Sequence, residues 1–346
     1  MSTDLWRMTT LAAALAALTL TGGCIFVNAQ FTLDPDGTQH ARVEAGMLEG
    51  VGEEEGDFTA QMGDSLAEGK WQALEDEMRG QWRVKTLVGE AGPGESLFAP
   101  DAQPQPEFAS TTHLLSTEFS FAMPLPEGAE MGPVTVTQED GAAADEAPAD
   151  EGEGGVQLEG MDQALEGMMT MMMSSGEAGL HFSARLPGEI VETNGTIVTA
   201  DRARWSIPLT GPPPEMAAMS AISRLLNWPS VGRLGGELTA AGRWDLVPAL
   251  IAGVRRGVVP DPVVADPTAA ALNVTMYIQA LEILTALDAA VGPEISTDIM
   301  RTLGLGGTDV DAARVAAIAE RLEGMDLSAE TDAEVTRWLL GRLGGN

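Results

Sequence analysis

Apolar and polar residues alternate most regularly between residues 180 and 209. The apolar members of the first run are Leu180, Phe182, Ala184 and Leu186. A period of two places one set of side chains on a buried face and the other toward water, which predicts a strand. Asn194-Gly195 then has the residue types of a type I′ turn, which would pair Val191 with Val198. A third alternating run follows at residues 203–209. The segment therefore predicts three antiparallel strands whose apolar face must pack against another element.

Similar alternation occurs closer to the N-terminus, at residues 25–33, 82–88 and 113–123. The turn sequence Asp34-Pro35-Asp36-Gly37 predicts that the first of these strands returns as a hairpin. Between the strands, the spacing of apolar residues in 61–79 predicts an amphipathic helix. Strands with a helix on one face indicate an α+β sheet domain, which we assign to residues 24–137 and 177–210.

An acidic stretch and a methionine-rich stretch interrupt this domain. Residues 138–155 contain no base and no large apolar residue, which predicts a solvated, disordered loop. Calcium binding is the alternative, but the ligand spacing of an EF-hand is absent from the sequence. In residues 156–176, Met168, Met169 and Met172 recur at helical spacing, which predicts an inserted helix.

The inserted helix has three interpretations. It could be an amphipathic helix packed on the sheet as its cover, or an adaptable surface for a lipid or a partner helix. A thioether copper(I) site is the third, but neither His nor Cys accompanies the methionines. We predict that the helix covers an apolar face and that the two together form an apolar ligand groove. The residues of this groove are Phe119, Phe121, Phe182, Trp205, Met168, Met169 and Met172.

After residue 214 the apolar period changes to that of helices, so residues 215–346 are predicted to form an all-α region, a bundle or a helical lid. The predicted helices are 215–227, 237–256, 267–291, 308–325 and 329–343. The helix at 267–291 is apolar on nearly all sides. Because it also contains Asn273, Glu282 and Asp288, we predict a buried central helix rather than a membrane span.

The N-terminus carries a targeting signal. Arg7 precedes an apolar run of secretory length, and small residues then lead to Cys24, the single cysteine of the chain. This arrangement resembles a bacterial lipobox, with Thr21 where leucine is usual. It predicts that residues 1–23 are removed and that acyl chains on Cys24 hold the protein on the extracytoplasmic side of a membrane. A plain secretory signal cut after Ala29 and an uncleaved anchor are the alternatives.

Composition limits the function further. The 346-residue chain has a formal net charge of −33, which repels phosphate backbones and excludes nucleic acid as a partner. The sequence has no GxSxG, HExxH, Walker A or GxGxxG context, so we predict no enzyme, catalytic residue or cofactor. The three histidines, His40, His113 and His181, are predicted on the polar sides of strands; their spacing does not match a zinc site, and no metal is predicted.

Several of these features together resemble the LppM-type family of bacterial lipoproteins. They are the lipobox cysteine, the first hairpin, the predicted helix, and LPGEIVETNG followed by RARW around Trp205. The resemblance covers residues 24–210. It implies a lipid-anchored α+β domain at the cell envelope with a role in binding lipids or glycolipids, and it supplies no catalytic residues. The insertion at 125–178 and the helical tail depart from the family.

Two main hypotheses for the function follow. The first is a lipid-anchored, non-catalytic binding module for a lipid or another apolar ligand. The second is a structural envelope scaffold without a small-molecule ligand. An unrecognised hydrolase is a third class, to which no motif in the sequence points. A cavity beside the sheet would favour the first hypothesis, a solid core the second, and a cleft of convergent polar groups the third.

Overall fold

The structure is a computed structural model that describes residues 24–48, 66–80, 82–100, 102, 105–125, 179–208, 217–306, 308 and 310–323. Four predicted features lie outside the described residues. They are the signal peptide 1–23, the acidic loop 138–155, the methionine-rich helix 156–176 and the tail helix 329–343.

The fold class is α+β, as the sequence predicts, and within the described residues the strands precede the helices. The strands are β1 (Cys24–Leu33), β2 (Gln39–Leu48), β3 (Trp71–Ala73), β4 (Glu77–Arg79), β5 (Trp82–Ala91), β6 (Glu107–Thr112), β7 (Ser116–Pro124), β8 (Gly179–Arg185), β9 (Glu189–Thr193), β10 (Thr196–Thr199), β11 (Arg202–Pro208) and β12 (Ala218–Leu226). The helices are α1 (Trp228–Ala240), α2 (Val247–Arg256), α3 (Val274–Val291), α4 (Pro293–Thr302) and α5 (Ala312–Glu323), with a 3₁₀ turn at Trp244–Leu246.

The described strands form two sheets. The larger has eight strands in the order β10-β11-β8-β1-β2-β5-β3, with β4 also paired to β5; the smaller has the order β6-β7-β12-β9. The chain divides into two compact units. The first unit comprises the described residues of Met1–Pro106, Met123–Ala184 and Arg204–Met219, and the second those of Glu107–Ala122, Arg185–Ala203 and Ser220–Asn346.

The core of the first unit lies on one face of the larger sheet. The predicted alternation is confirmed over residues 27–33 of β1, where every second residue is at most 5% exposed: Val27, Ala29, Phe31 and Leu33. The antiparallel partners Ala41, Val43 and Ala45 on β2 are equally buried. The ring of Phe98 packs on those of Phe31 and Trp71, with centroids 6.3 and 5.8 Å apart, and extends this core with aromatic contacts.

The second unit is built around α3. Eight of its residues are buried, and it packs against α1, α2, α4 and α5. The side chain of Asn273 accepts a hydrogen bond from the backbone N–H of Met276 and caps the N-terminus of α3. Among the described residues, α3 is the helix long and apolar enough to cross a membrane by length and composition. Its burial among the other helices agrees with the predicted central helix.

The helix predicted over 61–79 is wrong where the structure describes it. Short strands β3 and β4 lie there and pair antiparallel with β5. Gly69 has a φ of +72°, which interrupts a right-handed helix. The ring of Trp71 covers Gly89, where an added Cβ would lie 2.8 Å from it, and its indole N–H donates to Leu97 O at 2.6 Å. These contacts with distant residues outweigh the local helical spacing.

The start of the predicted helical tail is also wrong. Residues 215–227 were expected to be helical, but Ala218–Leu226 forms β12, whose buried residues alternate with half-buried ones. The helix α1 then begins at Trp228 rather than at 237, since Asn227 caps it and Pro229 occupies its first turn. A further helix, α4, lies between the predicted helices 267–291 and 308–325.

Asn194 and Gly195 connect two strands, but these strands do not form the predicted hairpin. β9 is the edge of the smaller sheet and pairs with β12, whereas β10 is the edge of the larger sheet next to β11. Asn194 instead binds Ser220: its carboxamide oxygen accepts from Ser220 N at 2.9 Å, and its N–H donates to Ser220 O at 3.3 Å. The asparagine therefore fixes the end of β9 to β12.

Candidate functional site

The predicted lipidation site is the first residue of a regular strand. Cys24 begins β1 and lies opposite Met47 of β2 in the antiparallel ladder, with a β-bulge between Cys24 and Phe26. Three residues further on, Val27 is fully buried. The described part of the sheet therefore includes the cysteine itself.

This strand bears on the alternative cleavage site. A cut after Ala29 would remove Cys24 to Ala29, the first six of the ten residues of β1. Val27 and Ala29 are 0% and 1% exposed and lie opposite Ala45 and Val43 of β2. Losing them would open one end of the core, and burial of each apolar side chain of this size contributes about 1–2 kcal/mol. A chain cut after Ala29 would therefore lack part of the buried face of β1.

The four aromatic residues of the predicted groove lie in two different sheets. Phe119 and Phe121 lie on β7 of the smaller sheet; Phe182 and Trp205 lie on β8 and β11, which are neighbours in the larger sheet. Each is at most 3% exposed. The four aromatic residues are therefore buried, as the alternation predicts, and they come from strands of two sheets rather than one.

Phe121 contacts another aromatic ring of the smaller sheet. The ring of Phe108 on β6 packs on Phe121 with centroids 5.4 Å apart. Met168, Met169 and Met172 lie outside the described residues, so the complete groove stays a prediction.

A buried polar cluster in the second unit was not predicted. The carboxylate of Asp261 accepts hydrogen bonds from Leu115 N and Ser116 Oγ, both at 2.6 Å. His113 Nδ1 lies 3.0 Å from the backbone oxygen of Asp261. Tyr277, 1% exposed, is close enough to be affected by the charge of Asp261. The cluster joins the turn before β7 to the segment between α2 and α3.

The electrostatics of this cluster are dominated by burial. Burial raises the pKa of the Asp261 carboxyl above its usual range; the hydrogen bonds from Ser116 and Leu115 and the charges of His113 and Arg224 oppose this shift without cancelling it. Burial also raises the pKa of Tyr277, and the negative charge of Asp261 adds to the effect. His113 Nε2 and the Tyr277 hydroxyl have no hydrogen-bond partner among the described residues.

The geometry of the cluster does not match a catalytic triad. The Ser116 hydroxyl donates directly to Asp261, and His113 contacts the backbone of that aspartate rather than its carboxylate. The predicted polar-side position of His113 is wrong, since the residue is 7% exposed. The one local feature of the sequence here is Pro262, which favours an extended backbone at Asp261 but does not indicate what its side chain contacts.

The other two histidines lie in the first unit. His40 Nε2 is 3.0 Å from the carboxylate of Asp34, at the end of the first hairpin. His181 Nδ1 is 3.0 Å from Ser206 Oγ. Within the part of the chain that the structure describes, no three His, Cys, Asp or Glu side chains gather as metal ligands would.

No protein-family model matches the chain, and no curated protein matches it. Among solved structures, the chain is similar to the NMR structure of the folded domain of the Mycobacterium tuberculosis LppM protein. The two are 13% identical with a TM-score of 0.28, and the match covers 60% of this chain and 92% of that one. This is a weak similarity at the level of the fold.

Proposed function

We propose that this protein is a cell-envelope lipoprotein, held on the extracytoplasmic side of a membrane by acyl chains on Cys24. The observation that carries the proposal is the position of Cys24 as both the end of the apolar signal and the first residue of β1. A signal cut before Cys24 leaves the strand complete. The alternative cut after Ala29 removes buried residues of the same strand.

The anchored protein acts, in this proposal, by binding rather than by catalysis, and an apolar molecule such as a lipid is the candidate ligand. The support comes from the sequence of the methionine-rich segment, whose side chains adapt to apolar surfaces of different shapes. Since Phe119, Phe121, Phe182 and Trp205 are buried, a ligand surface that used them would require a neighbouring segment to move aside.

The experiment is mass spectrometry of the N-terminal peptide of the protein purified from bacterial membranes. The expected peptide begins at Cys24 and carries the mass of its acyl chains. Cys24→Ser should abolish this mass and release the protein from membranes or stall its processing. Thr21→Leu is the matched control, because leucine is the usual residue at this position of a lipobox, and processing should be at least as complete as in the wild type.

Two other results would overturn the proposal. A mature chain that begins at Gln30 would show a plain secretory protein, and a retained N-terminus would show an uncleaved anchor. Binding is tested separately, by native mass spectrometry and lipid extraction of the protein purified from its own host. A lipidated protein that carries no further apolar molecule would favour the scaffold hypothesis.

A further inference from the structure

Asn194-Gly195 is the one asparagine-glycine pair in the sequence. Asparagine is chemically labile before glycine, because glycine has no side chain to hinder attack by its backbone nitrogen on the carboxamide carbon of the asparagine. The pair directly follows β9, which ends at Thr193, and Asn194 is exposed to water. A reactive dipeptide therefore lies at an accessible position, and its reactivity depends on how the folded chain holds the two reacting groups.

Hydrogen bonds engage both reacting groups. The carboxamide oxygen of Asn194 accepts from Ser220 N of β12 at 2.9 Å, and the Gly195 N–H donates to Thr193 Oγ1 at 3.0 Å. The Thr193 hydroxyl donates its own proton to Ser220 O at 2.8 Å. Since that proton is committed to Ser220, Thr193 Oγ1 acts as an acceptor for the Gly195 N–H. The side chain of Thr193 thus links the attacking nitrogen to the same β12 residue that binds the carboxamide.

We propose that Asn194-Gly195 is a deamidation site, held unreactive by the contacts of β9 with β12 and reacting when these contacts open. β9 is the last strand in the order of the smaller sheet, and a strand at an edge opens more readily than one inside a sheet. Opening breaks the bond from Ser220 N to Asn194 and the bond from Gly195 N to Thr193 together. The reaction is independent of the lipidation proposed above.

The reaction needs water as its only co-reactant. The Gly195 nitrogen attacks Asn194 Cγ, so that a bond from nitrogen to Cγ forms while the bond from Cγ to Nδ2 breaks. The proton of the Gly195 N–H leaves with Nδ2 as ammonia, and a cyclic imide remains. Water then opens the imide at one of its two carbonyl carbons and yields aspartate or isoaspartate.

The two products have different effects on β12. Aspartate keeps a side-chain oxygen that accepts from Ser220 N, as the asparagine does. Isoaspartate continues the chain through its side-chain carbonyl, so the backbone after Thr193 is one carbon longer and the acceptor no longer lies opposite Ser220. Because hydrolysis is not reversed by refolding, the isoaspartate product permanently loosens the end of β9 from the smaller sheet.

The test follows deamidation of Asn194 over time by peptide mass spectrometry, in the purified protein kept in mildly alkaline buffer with and without urea. The folded protein should react at least about tenfold more slowly than the unfolded one, since only the open state reacts. Thr193→Ala removes the acceptor of the Gly195 N–H and the bond to Ser220 O. It should accelerate the reaction of the folded protein by about fivefold or more, which corresponds to about 1 kcal/mol of lost hydrogen bonding.

Two matched variants guard against a general change in folding. Thr193→Ser keeps the hydroxyl and should react at the wild-type rate, and Thr196→Ala, at an exposed position beyond the turn, should also leave the rate unchanged. Equal rates in the folded and the unfolded wild type would overturn the proposal. A folded Thr193→Ala protein that reacts no faster than the wild type would overturn it as well. If Thr193→Ala does not fold, the comparison of the wild type and Thr193→Ser with and without urea decides.

Hydrogen exchange at Ser220 N–H tests the consequence for β12. The isolated isoaspartate form should exchange faster than the wild type, because Ser220 N has lost its acceptor. Asn194→Asp, which reproduces the other product, should retain the slow exchange. Slow exchange in the isoaspartate form would overturn the proposed release of β9.

Discussion

Gly188 lies against the backbone of Arg224: a methyl group in place of its hydrogen would be 2.1 Å from the Arg224 carbonyl oxygen. Gly188 also has a φ of +88°, in the left-handed region that residues with a Cβ rarely adopt. Next to it, Pro187 O accepts a hydrogen bond from the buried Ser223 hydroxyl at 2.8 Å. Only glycine therefore allows the chain between β8 and β9 to approach β12 this closely.

We predict that Gly188→Ala lowers the free energy of unfolding by more than about 2 kcal/mol, since strain and a backbone clash add. Urea denaturation measures the change. Gly236→Ala is the control, because Gly236 lies in α1 with no atom within 4 Å of an added Cβ. Alanine in a helix should leave the stability unchanged or raise it by up to about 1 kcal/mol. Equal effects of the two substitutions would contradict the close approach.

The second prediction concerns Glu44, a carboxylate only 6% exposed in the first unit. Burial alone would raise the pKa of Glu44, but hydrogen bonds from Arg79 and Arg42 outweigh it and hold the pKa below its usual range. Glu44→Gln should therefore cost about 1–2 kcal/mol at pH 7, a modest value because both arginines are about two-fifths exposed.

The lowered pKa of Glu44 fixes the direction in which its contribution to stability changes with pH. A carboxyl whose pKa is lowered on folding stabilises the protein above the unfolded pKa and loses that contribution as the pH falls through the folded pKa. The difference between the wild type and Glu44→Gln, measured by urea denaturation, should shrink below about pH 4. Glu77→Gln is the control, because Glu77 also pairs with Arg79 but is 60% exposed. It should change the stability by less than about 0.5 kcal/mol.

Asp261 should show the opposite pH dependence. Its pKa is raised on folding because the carboxyl is enclosed against Leu115 and Ser116. Such a group contributes fully below the unfolded pKa, and this contribution is lost as the pH rises through the folded pKa. Asp261→Asn resembles the protonated carboxyl, so its deficit relative to the wild type should be largest near pH 3–4 and should shrink as the pH rises.

Two further variants complete this test. Asp261→Ala leaves the N–H of the fully buried Leu115 without its acceptor and should cost about 2–3 kcal/mol at neutral pH. Asp298→Asn, at an exposed position of α4, should change the stability little at any pH. A deficit of Asp261→Asn that grows with pH would show that the carboxylate is stabilised in the folded state and that the raised pKa is wrong.

The sequence predicted elements whose side-chain pattern and neighbours are local. The alternation of apolar residues in β1 correctly indicated which of its side chains are buried, because β1 pairs with β2, the next strand of the same hairpin. The apolar residues on nearly all sides of α3 likewise indicated a buried helix, because α3 lies inside a unit made of helices. The helix predicted over 61–79 failed because Trp71 packs on Gly89 and Leu97, whose positions local periodicity does not encode.

The candidate sites also differ in whether their residues are close together or far apart in the sequence. Cys24 could be proposed as a lipidation site from the sequence because the predicted signal and the cysteine are contiguous. The Asp261 cluster could not be predicted, since Ser116 and Asp261 are 145 residues apart and neither segment contains a pattern that indicates contact with the other. The groove prediction grouped four aromatic residues by alternation alone. Alternation identifies which residues are buried but not which sheet each strand joins, and here Phe119 and Phe182 belong to different sheets.

The last prediction distinguishes the two accounts of Asn194. In a type I′ hairpin, asparagine serves because it tolerates left-handed dihedrals, and Asn194→Gly would then be nearly neutral. In the structure, its carboxamide oxygen accepts a hydrogen bond from Ser220 N of β12, which Asn194→Gly removes. We therefore expect Asn194→Gly to lower the free energy of unfolding by about 1 kcal/mol in urea denaturation, and hydrogen exchange at Ser220 N–H to accelerate.

The control for this prediction is Thr196→Ala. Thr196 begins β10 on the other side of the turn and is exposed, so its substitution should leave exchange at Ser220 unchanged. A stable Asn194→Gly protein with normal exchange at Ser220 would restore the hairpin account. A loss confined to Asn194→Gly would show instead that this asparagine secures β9 to the smaller sheet, because the amide of Ser220 depends on its side chain for an acceptor.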